Sequence, residues 1–201
     1  HGTAMAGVIG ASANNGTGIV GLCWSCRLLP VKVLDASGSG TYADVIDGIL
    51  WAADNGARIL NLSLGGYVYS QVMADAVNYA HAAGAVIVAA GGNEDTSDPL
   101  YPAAFPNVIG VSATNQDDSD WSLSNQGSYI KLAAPGVGIL STGPYEGYTI
   151  ATGTSFSTAH VSGVAALVLS KNADFSNTQV EQILYRTADD FGDKGRDQIY
   201  G

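Results

Sequence analysis

The chain has 201 residues, of which 46% are hydrophobic and 13% are charged, and its formal net charge is −10. One globular domain with a sizeable core fits this length and composition. The acidic excess argues against nucleic acid as a partner, because phosphate binding requires lysine and arginine. No stretch approaches the roughly 18 consecutive apolar residues of a membrane span, so a membrane partner is not expected either.

The first half of the chain alternates predicted strands and helices. Residues 28–34 (LLPVKVL) predict a buried strand, and residues 41–55 predict a helix with one apolar face. A strand over 57–64, a helix over about 70–83 and a strand over 85–90 follow. The last strand is a continuous apolar run, which is typical of a strand covered on both faces. Such alternation with short connections predicts parallel β-α-β units.

Strands and loops dominate the second half until two helices close the chain. Strands are predicted over 107–114, 129–136 and 138–142, and helices from about Ser155 and over 176–187. No repeat, linker or low-complexity tract interrupts the pattern. We therefore predict one α/β domain in which a mostly parallel sheet is flanked by helices.

Cys23 and Cys26 form a single C-x-x-C motif. No second cysteine pair accompanies it, which argues against a zinc site. The motif lies in a loop that leads into a predicted strand, whereas a redox-active pair normally begins a helix. A local disulfide and two free thiols both stay open on the sequence alone.

Glycine-rich segments follow several of the predicted strands. Ligands of open α/β sheets bind beyond the carboxyl ends of the strands. The segments 38–40, 64–66 and 91–95 and the turn before Ser155 are therefore expected at one rim of the sheet. Glycine allows a close approach of another backbone, so an extended peptide is the expected ligand.

Ser155 stands at the start of a predicted helix, in the sequence GTSFSTAHVSG. Serine commonly caps helices, and it becomes a nucleophile only where a base takes its proton. His81 lies within a helix, and His160 follows Ser155 on the same helix, so packing roles are expected for both. His1 begins another predicted helix, and an imidazole at a helix start on the same rim could reach Ser155.

These segments carry a family resemblance. HGTAMAGVIGA (1–11) resembles the histidine motif of subtilisin-like serine proteases, and GTSFSTAHVSG (153–163) resembles their serine motif. GGNED (91–95) is similar to the oxyanion-asparagine segment, and SLGG (63–66) and GSGTY (38–42) are similar to the substrate-binding strands. The order and spacing match across essentially all 201 residues. The resemblance implies a three-layer subtilisin-like fold and an endopeptidase that works through a Ser-His-Asp triad and an acyl-enzyme.

The resemblance also implies a role for each matching residue. His1 would be the general base and then the acid, and Ser155 the nucleophile. The Asn93 amide and the Ser155 N–H would form the oxyanion hole. Substrate would be bound by Gly38, Ser39, Gly40, Tyr42, Ser63, Leu64, Gly65 and Gly92. Large apolar side chains are expected before the scissile bond, because no acidic residue is obviously placed there to select a basic one.

The loop ANNGTGIVG (13–21) resembles the calcium loop of the family, closest to the thermitase branch. The resemblance implies Ca²⁺ ligands from the Asn15 side chain and from the carbonyls of Ala13, Thr17 and Ile19. Calcium takes six to eight oxygens, so these four would be part of a site.

The triad acid is not among the matching positions. The family supplies it from a strand before the histidine motif, so we expect it upstream of His1, with at least one more strand. Residues 1–201 would then be a partial peptidase domain. Asp35 follows a predicted strand, and Asp44 and Asp47 lie on a predicted helix, so none of them is expected to replace the missing acid.

Three matching positions depart from the family pattern. Ala4 stands where a second histidine is usual, Phe156 where methionine is usual, and Ala159 where proline is usual. None of the three removes a catalytic group, so the departures concern packing and specificity.

Two other functions are weighed against the peptidase. A catalytically silent, peptide-binding relative stays open because the acid is missing. An α/β-hydrolase esterase is disfavoured, since its serine lies in G-x-S-x-G and its histidine comes last, whereas GTSFS lacks the final glycine and His1 comes first. The resemblance implies a secreted, monomeric protein that acts on peptide and protein substrates.

Overall fold

The computed structural model describes residues 1–145 and 147–201. The helices are α1 (Gly2–Gly10), α2 (Tyr42–Asp54), α3 (Gln71–Ala82), α4 (Thr154–Lys171) and α5 (Asn177–Thr187). The strands are β1 (Ile59–Leu62), β2 (Val86–Ala90), β3 (Ile109–Thr114), β4 (Ile130–Pro135), β5 (Ile139–Thr142) and β6 (Tyr148–Ala151). The predicted helices are confirmed to within one or two residues.

The main sheet is parallel, with the strand order β1-β2-β3-β4. Every residue of β2 and β3 is buried, as the continuous apolar sequence of β2 predicts. Strands β5 and β6 form a separate antiparallel pair. The predicted α/β fold with a mostly parallel sheet is thus confirmed.

Helices cover both faces of the sheet. On one face, Ile49 of α2 and Val77 of α3 are buried in a cluster with Ile87 of β2. On the other face, Val161 of α4 and Val180 of α5 are buried in a second cluster. That cluster contains Val86 and Val88, which alternate along β2 with Ile87 of the first cluster. The result is three layers, with the sheet in the middle.

Local hydrogen bonds explain where two of the helices begin. Thr41 and Asp44 form a reciprocal capping box at the start of α2, and Ser176 and Gln179 form another at the start of α5. Each box satisfies backbone N–H groups that the first helical turn leaves free. The sequence therefore predicts where α2 and α5 begin.

The predicted strand over 28–34 is wrong. The segment belongs to none of the described strands, and Leu28, Leu29 and Val31 are exposed. One side of it lies against α2, where Gly48 adjoins the side chains of Val31 and Val33. The apolar run thus has a covering helix but no hydrogen-bonded neighbour among the described strands, and a β-strand requires such a neighbour.

Strand β6 was not predicted, although it pairs with β5 over its whole length. Its residues alternate between exposed and half-buried, so its apolar signal is weak. Cys23 and Cys26 are joined by a disulfide with a Cα–Cα distance of 5.5 Å, which resolves the alternatives left open above. Within residues 1–145 and 147–201, no helix is long and apolar enough to cross a membrane.

Candidate active site

Ser155 is the second residue of α4, and Thr154 separates it from the N-cap residue Gly153. The φ angle of Gly153 is 155°, which a side chain would disfavour. The Ser155 carbonyl accepts a hydrogen bond from Ser63 Oγ at 2.9 Å. The free N–H groups of a helix start favour negative charge, so Ser155 stands where an anion can be stabilised.

The Asn93 side chain is oriented by Thr154. Its Oδ1 accepts hydrogen bonds from the Thr154 backbone N at 2.8 Å and from Thr154 Oγ1 at 2.9 Å. Gly92 N in turn donates to Thr154 Oγ1 at 3.2 Å. With Oδ1 engaged, the amide presents its Nδ2 donor beside the start of α4. An amide donor held in a fixed position can stabilise a negative charge.

His1 precedes α1 as its N-cap residue and is exposed. The first turn of α1 is fixed by two hydroxyl groups of β5, since Ser141 Oγ donates to the Ala4 carbonyl at 2.6 Å and Thr142 Oγ1 to the Thr3 carbonyl at 2.7 Å. Ala4 also shares a buried apolar cluster with Phe156. The helices that begin at His1 and beside Ser155 therefore pack together near their starts.

The other two histidines make contacts of their own. His81 Nε2 lies 3.4 Å from Glu181 Oε1, whose carboxyl pKa is raised by burial. His160 Nδ1 lies 2.9 Å from the Phe156 carbonyl, and burial lowers its imidazole pKa. Both contacts are structural, as the sequence suggested for these two residues.

Some of the predicted substrate-binding residues bond directly to the start of α4, and the others belong to the segments just before α2 and just after β1. Ser63 bonds to Ser155, and Gly92 to Thr154. Tyr42 begins α2, and its hydroxyl donates to the Val68 carbonyl at 2.8 Å, which links α2 to the chain beyond SLGG. Gly38, Ser39 and Gly40 form an exposed turn just before α2, and Leu64 and Gly65 continue from Ser63.

The acidic residues of this region serve local structure. The Asp35 carboxylate accepts hydrogen bonds from the Ser37 hydroxyl, Ser39 N and Ser37 N, which lower its pKa. Asp44 belongs to the capping box of α2. Within the described residues the single ion pair is that of His81 and Glu181, so no carboxylate is paired with His1.

Asn61 is a site residue that the sequence analysis missed. Its Nδ2 donates to Ser63 Oγ at 2.9 Å, and its Oδ1 accepts from Ser162 Oγ at 2.9 Å. A series of hydrogen bonds thus connects Ser162 of α4, through Asn61 and Ser63, to the Ser155 carbonyl. Asn61 and Ser63 are two residues apart and share a face of an extended chain, a spacing that could have indicated it. Thr154, inside GTS, was missed as well.

The loop over 13–19 turns sharply, with residues 14–18 exposed and Ala13 and Ile19 half-buried. Asn14, Gly16 and Gly18 have φ angles of 58°, 71° and 65°, and residues 12–20 line an open depression. Asn15 Oδ1 accepts a hydrogen bond from Thr17 N at 3.2 Å. Within the described part of the chain, no three His, Cys, Asp or Glu side chains cluster to hold a metal ion. The oxygens of this loop suit calcium, but they are neutral and too few for a complete shell.

A model of the subtilase family, Peptidase_S8, matches residues 1–201. The chain belongs to the subtilase family. It is 45% identical over 195 residues to thermitase of Thermoactinomyces vulgaris, covering 97% of this chain and 69% of that protein. It is 43% identical over 201 residues to a thermophilic serine proteinase of Bacillus sp. (strain AK1), covering the whole of this chain and 50% of the relative. The chain thus spans half the length of that relative.

Among solved structures, sphericase superposes with a TM-score of 0.93 at 34% sequence identity, and the match covers 100% of this chain and 75% of sphericase. The fold is therefore that of the subtilases. The departures from the subtilase pattern lie together, since Ala4, Phe156 and Ala159 are all buried in the cluster that joins α1 to α4. A small residue in α1 accompanies a large one in α4, which keeps the helices in contact.

Proposed function

We propose that the chain is part of the catalytic domain of a serine endopeptidase in which Ser155 is the nucleophile and His1 its general base. The observation that carries the proposal is the double hydrogen bond from Thr154 to Asn93 Oδ1, next to the start of α4. It holds an amide donor beside a serine at a helix start. A donor in a fixed position stabilises charge that develops in the transition state of acyl transfer.

In the proposed reaction, Ser155 Oγ attacks the peptide carbonyl while His1 takes the hydroxyl proton. The carbonyl oxygen becomes negatively charged and accepts hydrogen bonds from Asn93 Nδ2 and the Ser155 backbone N–H. His1 then gives its proton to the leaving amine, which leaves an acyl-enzyme on Ser155. Water, activated by His1, hydrolyses this ester and restores the serine.

An aspartate from outside residues 1–201 completes the proposed triad. In relatives of this type the acid orients the imidazole and stabilises its protonated form. The acidic residues near His1 in sequence are engaged in local turns and caps, as shown above for Asp35 and Asp44. We propose that the partial calcium site at Ala13, Asn15, Thr17 and Ile19 is likewise completed from outside this segment, and that the ion stabilises the loop.

The proposed preference before the scissile bond is for large apolar side chains. Glu94 is the nearest acidic residue to Asn93, and its Oε2 accepts hydrogen bonds from Asn93 N and from the Tyr67 hydroxyl, both at 2.7 Å. A carboxylate engaged in this way is a poor partner for a basic substrate side chain. The substrates would be extended peptide segments of proteins, cleaved by a secreted monomer.

A fluorophosphonate probe and a peptide anilide together test the proposal on the full-length protein. We expect covalent labelling of Ser155 and hydrolysis of the anilide, both abolished in Ser155→Ala. A silent peptide-binding relative would bind peptides without either reaction. An esterase would be labelled but would leave the anilide intact.

A further inference from the structure

Tyr67 connects two segments of the active site. It follows SLGG directly, and its hydroxyl donates to Glu94 Oε2 at 2.7 Å, in the segment that carries Asn93. Tyr67 is 45% exposed. An exposed ring contributes little to the core, so the hydroxyl contact is the distinctive feature of this residue.

One oxygen of Glu94 collects three donors. Besides the Tyr67 hydroxyl, Oε2 accepts from Asn93 N at 2.7 Å and from Asn125 Nδ2 at 3.3 Å. Hydrogen bonds to an ionised carboxylate are among the stronger ones in proteins. The position of this carboxylate therefore fixes the backbone of Asn93.

Asn125 binds the segment that carries Asn93 and Glu94. It is fully buried, and its Oδ1 accepts from Glu94 N at 2.8 Å while its Nδ2 donates to the Tyr67 hydroxyl at 3.0 Å. Its backbone N donates to the Gly92 carbonyl at 3.0 Å. Tyr67, Glu94 and Asn125 thus form a closed triangle of hydrogen bonds beside Asn93.

We propose that Tyr67 is a positioning residue for the oxyanion hole, which acts on Asn93 through the Glu94 carboxylate. Thr154 fixes the side chain of Asn93, and the triangle fixes its main chain. Without the hydroxyl, Glu94 Oε2 keeps its bonds from Asn93 N and Asn125 Nδ2 but loses its third donor, so the carboxylate is held less firmly. This inference rests on the proposed function.

The expected effect is on the transition state rather than on substrate binding. A displaced oxyanion donor weakens a contact that forms only when charge develops on the substrate carbonyl. In full-length protein, Tyr67→Phe should lower kcat for a peptide anilide about five- to tenfold and leave KM within about twofold, as expected for a small misplacement of one donor. A peptide aldehyde that forms a hemiacetal with Ser155 should lose affinity by a similar factor.

Tyr69→Phe is the matched control. Tyr69 is 53% exposed, and its hydroxyl donates to the nearby Gln71 side chain at 2.8 Å, away from Asn93. It should keep the kcat and aldehyde affinity of the unmodified protein. Melting temperatures of both variants should stay close to that of the unmodified protein, which would show that the loss in Tyr67→Phe is not a folding defect.

A double-mutant cycle with Asn93→Ala decides whether Tyr67 acts through Asn93. We expect Tyr67→Phe to have almost no effect on kcat once Asn93 is absent. An equal loss in both backgrounds, or no loss in either, would overturn the positioning role. If the unmodified protein hydrolyses the anilide and the probe labels Ser155 while the cycle shows no coupling, this inference alone falls. If Ser155 is not labelled, the proposed function falls with it.

Discussion

At the residue scale, the two predicted oxyanion donors are held by different contacts. The Ser155 backbone is anchored through its carbonyl by Ser63, and the Asn93 amide is anchored through its Oδ1 by Thr154. In each case the anchoring group donates to an oxygen of the residue that it holds. Both donors are therefore pre-oriented before substrate arrives, which is what makes such groups effective in catalysis.

Asn93→Ala should lower kcat far more than it raises KM, because the amide bonds to charge present only in the transition state. Loss of the oxyanion asparagine in a subtilisin costs about 10²–10³ in kcat, and a similar loss is expected for this relative. Steady-state kinetics with a peptide anilide would measure the loss in kcat.

Thr154→Val, which removes one of the two bonds to Asn93 Oδ1, should give a smaller loss in kcat of about fivefold. A variant that loses mainly substrate affinity would contradict the assignment.

At the element scale, a glycine in α1 allows this helix to pack closely against β5. A Cβ at Gly7 would overlap the Ser141 and Thr142 hydroxyl oxygens, the same groups that fix the first turn of α1. Helix α1 carries His1 at its start. A displacement of the helix would therefore move the proposed base as well as loosen the packing.

Gly7→Ala should destabilise the fold by about 1–3 kcal/mol, the usual cost of overpacking, and should lower kcat. Gly2→Ala is the control, since a Cβ at Gly2 meets nothing within 4 Å. Urea unfolding and anilide turnover would compare the two variants. Equal stability and activity in both would show that α1 tolerates displacement from β5.

The stability of the fold should depend on pH through His160 of α4, whose imidazole is half-buried. Burial holds its pKa below the usual 6.5, whereas the unfolded chain would bind a proton near that value. Stability should therefore be complete above pH 6.5 and fall as the pH drops toward the lowered pKa, by at most about 1.4 kcal/mol per pH unit. His160→Gln should flatten this slope between pH 7.5 and 5.5 in urea unfolding. An unchanged slope would show that other groups cause it.

The elements differ in how far the sequence predicts them. Helix α2 follows from apolar periodicity and capping, and strand β2 from a continuous apolar run, and all of these are local properties of the sequence. The sequence wrongly predicts a strand over 28–34, because the segment packs against α2 but pairs with no described strand. Strand pairing is not a local property of the sequence. The contacts of Thr154 with Asn93 and of Tyr67 with Glu94 join residues 61 and 27 positions apart. No motif spacing reports such contacts, so only the structure shows them.

At the scale of the whole molecule, β1 is an edge strand of the sheet, because among the described strands it pairs with β2 alone. The 28–34 segment leaves Leu28 and Leu29 exposed and pairs with no described strand. Unpaired edges and exposed apolar segments favour aggregation. We propose that a strand from outside residues 1–201 pairs here and brings the triad aspartate.

Residues 1–201 alone should show little turnover, since loss of the triad aspartate in subtilisin costs about 3 × 10⁴ in kcat. A version extended upstream should turn over the anilide, melt at a higher temperature and gain further stability from calcium, because its ligand set would be complete. Anilide kinetics and melting curves with and without calcium would compare the two. Equal activity would show that an acid within residues 1–201 completes the triad.

The acyl-enzyme is the most direct test of the proposed function. The extended protein would be mixed with a peptide ester, quenched in acid within one turnover and digested, and the mass of the peptide that contains Ser155 would be measured. We expect this peptide to carry the acyl group on Ser155, and we expect no adduct in Ser155→Ala. Hydrolysis that continues in Ser155→Ala, or an acyl group on another residue, would contradict the account.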